Sequence, residues 1–167
     1  MESRSTLRLA GVATLAGAAI DVVAPFVIYP RLSQPWPHLV YVIIDLLLVI
    51  GMLGLRAVTA RSTGALALTG FVLALLGVML VRTSEARIFG EASYMIASSA
   101  WSIGMVLWAV DLLKAKTFRL AAGLWIAALV VGLAGLVVKD GGTIAHLAKW
   151  AFIGGFAVVG LELLRKR

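Results

Sequence analysis

The stretch LVYVIIDLLLVIGMLGL, residues 39–55, holds one charged side chain, Asp45, among aliphatic neighbours. A helix needs about 20 mostly apolar residues to cross roughly 30 Å of hydrocarbon, and this stretch with its flanks is that long. Working outward, comparable runs recur along the chain, and the spans read 7–29, 38–58, 64–83, 92–113, 118–138 and 145–164. The totals agree. Of 167 residues, 62% are hydrophobic and 14% charged, and the mean hydropathy is +1.03. A water-soluble domain needs far more polar surface, and a membrane β-barrel shows short alternating segments instead. The expected fold is all-α: a polytopic membrane protein, a six-transmembrane-helix bundle with short loops, forming a single transmembrane domain over 1–167.

Residues 1–20 imitate a signal peptide, with Arg4 and Arg8 ahead of an apolar run. That run continues to Tyr29, so it reads as the first span. The net charge of +7 reads as membrane orientation and not as nucleic-acid binding, because the basic residues collect at helix ends. One side carries Arg4, Arg8, Arg56, Arg61, Lys114, Lys116, Arg119, Arg165, Lys166 and Arg167. The other carries Arg31, Arg82, Arg87, Lys139 and Lys149. This excess places the N and C termini in the cytoplasm, and the chain is expected in a bacterial cytoplasmic membrane.

All prolines fall in the segment PFVIYPRLSQPWP, 25–37. Pro30, Pro35 and Pro37 mark the outer loop between helices 1 and 2, while Pro25 should loosen the last turn of helix 1. The helix-end motifs DLLKAK (111–116) and ELLRKR (162–167), TLRLAG (6–11) and TFRLAAG (117–123), with IGM at 50–52 and 103–105, suggest a helical-hairpin repeat. Small residues four apart, such as Ala100 with Gly104 and Ala151 with Gly155, mark packing seams.

The carboxylates carry the functional question. At a rise of 1.5 Å per residue, Asp21 and Asp45 both lie about 4–5 Å outside the midplane of neighbouring helices. A charged Asp there costs about 2.5–3.5 kcal/mol, which a shared proton or a nearby cation offsets. Lys149, on helix 6, is the nearest cation considered. His38, Tyr41 and Asp45 share one face of helix 2, as do His146 and Lys149 on helix 6. If those faces meet, an outward-opening polar pocket of Asp21, His38, Tyr41, Asp45, His146 and Lys149 binds a ligand or proton. Arg82, Glu85, Arg87 and Glu91 read as solvated pairs around the next outer loop, or as the rim of a mouth. Ser98, Ser99, Trp101 and Ser102 line part of helix 4. Asp111 and Glu162 read as inner-interface ion pairs with the basic residues that follow them.

No cysteine is present, which excludes disulfides, thiol catalysis and Cys-based metal sites. HExxH, GxSxG and DxxxD motifs and paired mid-membrane histidines are also missing, so no cofactor or metal is expected. KDGGT, 139–143, is a turn and not a phosphate loop.

Three readings of function stay open. The first is a small membrane protein binding or transporting a proton, a cation or a small amphipathic molecule through the paired aspartates. The second is a structural subunit of a larger membrane complex. The third is an enzyme acting on a lipid or isoprenoid with Asp as general acid. Expected partners are the lipid bilayer, a small-molecule or lipid ligand, and a second copy or a larger membrane complex; nucleic acid is not among them.

Overall fold

A computed structural model describes residues 4–84, 87–138 and 141–166. It contains six α-helices: α1 Arg4–Val27, α2 Trp36–Thr59, α3 Ala65–Thr83, α4 Ser93–Lys114, α5 Arg119–Gly135 and α6 Gly141–Arg165. No strand occurs among the described residues. Five of the helices are long and apolar enough to cross a membrane, and α5 is the shorter one.

Several boundaries differ from those read off the sequence, each for a local reason. α2 begins at Trp36, ahead of Pro37, because a proline in the first helical turn gives up an amide that has no intrahelical partner anyway. Pro30 sits in a 3-10 turn, Tyr29–Arg31. α1 continues through Pro25 to Val27, although the ring removes one amide from its last turn. α5 stops at Gly135, short of the expected 138, and residues 136–138 leave the helix as a turn. α6 starts at Gly141, so the expected turn over 139–143 gives way to helix at its second half. Glu85, Lys139, Asp140 and Arg167 lie outside the described residues.

Each helix packs antiparallel on its partner through small residues. Along α1 and α2, Gly17 meets Ile44 and Leu48, Gly51 meets Thr14, and Gly54 meets Ala10. α3 and α4 make the tightest seam. A side chain on Gly104 would run into the backbone of Ala74 and Gly70, so these helices approach at backbone distance. α1 and α6 close similarly where Gly11 faces Gly160. The helices form a ring in the order α2, α1, α6, α5, α4, α3. Its last joint, between α2 and α3, is the weakest of the ring. α2 and α3 follow one another in the chain across the short link 60–64, yet they barely touch. α2 spends its packing face on α1 and α6, and α3 spends its own on α4.

The core fills the half of the bundle nearer the termini, with Met52, Leu55, Met105, Trp108, Trp125 and Phe156 all buried. The aromatic rings meet edge to face, Phe71 on Trp108 at 5.3 Å and Trp125 on Phe156 at 5.4 Å between centroids. The Trp125 indole fits over Gly155 and donates from Nε1 to the Phe152 carbonyl at 3.2 Å. At this end Asp111 departs from a simple surface pair. Its Oδ2 accepts from the backbone amides of Gly64 at 3.0 Å and Ala67 at 2.9 Å, capping α3 from α4. Lys114 stays close to the other oxygen at 3.7 Å.

The outside of the bundle is as apolar as the inside. Leu46, Leu53, Met79, Leu120 and Val130 all present more than half of their surface, or nearly so.

Candidate functional site

Where the core ends, towards the helix ends opposite the termini, the ring encloses a cavity of about 770 Å³. Its walls differ sharply in chemistry. α1, α2, α3 and α6 contribute Asp21, His38, Tyr41, Asp45, Arg82 and Lys149. α5 contributes Ala128, Leu129, Gly132 and Leu133, with Leu136 just beyond its end, and no polar group. α4 supplies the hydroxyls of Ser98, Ser99 and Ser102 together with Trp101. Leu48, Phe152 and Ile153 contribute apolar surface where the cavity meets the core.

Asp21 and Asp45 line the same cavity. Each has its own cation. Lys149 Nζ on α6 lies 3.0 Å from Asp21 Oδ2 on α1. Arg82 on α3 pairs through Nε with Asp45 Oδ2 on α2. Of the two readings of Arg82, the solvated loop pair gives way to a place in the cavity wall, paired with Asp45. Arg87 and Glu91 do form an exposed pair at the loop, at 2.6 Å. The long Arg82 stem carries the guanidinium from the last turn of α3 to the Asp45 carboxylate on α2. Both pairs are close charge contacts and not aligned hydrogen bonds, because Asp21 Oδ2, Asp45 Oδ2 and Arg82 Nε are buried with no hydrogen-bond partner among the described residues. The four charges balance.

Arg82 is held a second time. Its guanidinium carbon lies 5.1 Å from the centroid of the Tyr41 ring, and Tyr29 backs that ring at 4.8 Å. Tyr29 lies beyond the end of α1, in the 3-10 turn Tyr29–Arg31. Burial first, then Tyr41 and Asp21, push its phenol above the ordinary value, so it stays an uncharged ring at neutral pH. The sequence reading singled out neither Tyr29 nor this role of Arg82. The one available signal was the position of Arg82 inside the hydrophobic run of α3.

His146 stands apart from the other five pocket candidates. It is exposed and lies outside the cavity lining. Three residues ahead of Lys149, it sits about 4.5 Å further along α6, beyond the rim. Ser98 is occupied with its own helix, donating to the Met95 carbonyl at 3.2 Å. The Trp101 indole nitrogen is buried without an acceptor among the described residues.

Each of the two cavity carboxyl groups faces a cation. Among the described residues no group of His, Asp and Glu is arranged to hold a metal ion. No protein-family model, curated protein sequence or solved structure matches this chain.

Proposed function

We propose that this chain is an integral membrane protein, with both termini on the cytoplasmic side, whose outward-facing cavity binds a small amphipathic molecule. The membrane reading rests on helices that are apolar on the outside, a surface that water would not tolerate at this extent. The excess of Lys and Arg at the end carrying the termini gives the orientation.

The observation that carries the ligand reading is the two-sided lining of the cavity. A charged wall faces an apolar wall across a space of about 770 Å³, within the range of small-molecule sites. α5 adds a route. Its 17 residues reach about 25 Å, short of the roughly 30 Å of a bilayer core. Beyond its end, Leu136 and Val137 are exposed at 74% and 86%, which leaves an apolar notch beside the cavity for a molecule arriving from lipid. Native mass spectrometry of protein extracted from membranes tests the reading. Wild type should carry a bound small molecule, and Ser99→Trp, which puts an indole into the cavity from an exposed position on its wall, should lose it. Bare protein in both cases would refute it.

A second reading has its own support. The ion pairs join α1 to α6 and α2 to α3, as fasteners would. In that case Asp21→Asn and Asp45→Asn would loosen the bundle without changing any bound mass, and a stoichiometric protein partner would co-purify.

A further inference from the structure

The two ion pairs are not equivalent, and the difference specifies a ligand. We propose that Lys149 is an internal stand-in for a ligand ammonium, and that the cavity binds an amphipathic amine whose charged nitrogen displaces Lys149 from Asp21. This rests on the cavity-binding reading above and names the chemistry of its occupant.

Exchange in this cavity is possible only on the cation side. Asp21 and Asp45 sit on short stems along helices, with side chains 12% and 9% exposed, so neither carboxylate can leave. An anionic ligand would have to draw Lys149 or Arg82 off its aspartate and set a second negative charge beside the carboxylate it uncovers, and like charges that close repel. A cationic ligand strands nothing if the amine it replaces can reach water. Lys149 meets that condition. Its side chain is 43% exposed, its long stem is flexible, and among the described residues neither an aromatic face nor a second acid holds it. Arg82 does not meet it, being 30% exposed, paired with Asp45 and stacked on Tyr41.

The acceptor is also unfinished. Asp21 Oδ2 is buried beside Lys149 without an aligned hydrogen bond, so an ammonium free to orient inside the cavity can donate where the tethered one does not. The remainder of the ligand must be apolar, because the wall formed by Leu129, Gly132 and Leu133 offers no polar partner. Recognition therefore needs a nitrogen cation joined to a hydrocarbon body.

The test is titration calorimetry of the full chain in nanodiscs with hexylammonium, hexanol, hexanoate and ammonium chloride, using wild type, Lys149→Met, Asp21→Asn and Ser99→Trp. Hexylammonium should bind wild type at least about tenfold more tightly than the other three compounds. Removing the internal competitor in Lys149→Met should tighten it by about tenfold or more, and Asp21→Asn should weaken it by a similar factor. Hexanol or hexanoate binding as tightly as hexylammonium, with binding lost in Ser99→Trp, would overturn the amine and leave the cavity reading intact. Ammonium alone binding as tightly would overturn the apolar half of the ligand. Lys149→Met without effect would overturn the stand-in role. If Lys149→Met does not fold, Asp21→Asn decides alone, because unchanged hexylammonium affinity there overturns the proposal. No binding of any compound to any variant would remove the cavity reading itself.

Discussion

Two joints of the helical ring use the same device to different effect. α1 meets α6 through the backbone-close contact of Gly11 with Gly160, and the Lys149–Asp21 pair is added further along the same interface. α2 meets α3 through almost nothing except the Arg82–Asp45 pair and the stack on Tyr41. An ion pair laid over good packing is spare and can be exchanged. One that replaces packing is a brace and cannot. The geometry thus separates, within one cavity, a pair that can be given up to a ligand from a pair that keeps the cavity in shape.

The largest effect should follow from removing the brace. Arg82→Met leaves Asp45 buried and unpaired, and we expect a loss of about 3–5 kcal/mol in detergent-solubilised protein, read as the shift in thermal unfolding. The double variant Asp45→Leu with Arg82→Met removes both charges and should recover most of that loss. If the double variant is no better than the single one, stacking of Arg82 on Tyr41 rather than charge holds the joint, and the comparison needs redrawing.

A dry seam provides the next contrast. At Gly104 the α3 and α4 backbones are too close for any side chain, so Gly104→Leu must push the helices apart. The expected cost is about 2–3 kcal/mol by the same unfolding assay. Asp111→Ala should cost less, about 1–2 kcal/mol, by uncapping the amides of Gly64 and Ala67. Asp111→Asn retains an acceptor oxygen and should restore part of it. Equal losses in the Ala and Asn variants would show that the pairing with Lys114 matters more than the cap.

The features that could be read from the sequence are those set by repetition along one helix. Apolar runs of membrane length gave six helices, five of them long enough to span a membrane, with ends that differ from the structure by a few residues where proline or a short helix intervenes, as at Pro37 and Gly135. Rise per residue put Asp21 and Asp45 level, and both side chains line one cavity. The features that escaped depend on which helices meet. Chain order makes α2 and α3 neighbours, and only the packing shows that they part around a cavity. Arg82 carries no mark in the sequence to distinguish a snorkelling end residue from one that turns inward, since the stem allows both. Asp111 likewise reads as a partner for Lys114 until the start of α3 is seen beside it. His146 shows the opposite failure, because a shared helical face with Lys149 does not give it a shared depth.

The exchangeable pair yields the smallest predicted loss and the most informative one. Lys149→Met removes a cation that is already 43% exposed, from an interface that keeps its glycine seam. Only the lysine of this pair is well exposed, and removing it opens the Asp21 carboxylate to the water of the cavity, so the expected destabilisation is about 1 kcal/mol, several times less than for Arg82→Met. The two variants remove the same charge from the same cavity, and only their packing contexts differ. A loss in Lys149→Met as large as in Arg82→Met would mean that Asp21 needs its lysine as much as Asp45 needs its arginine. Lys149 would then be a brace too, and no ligand could take its place at that carboxylate. A small loss, measured on the same preparation, leaves Asp21 as the position in the cavity wall where a charge can be traded without unfolding the ring.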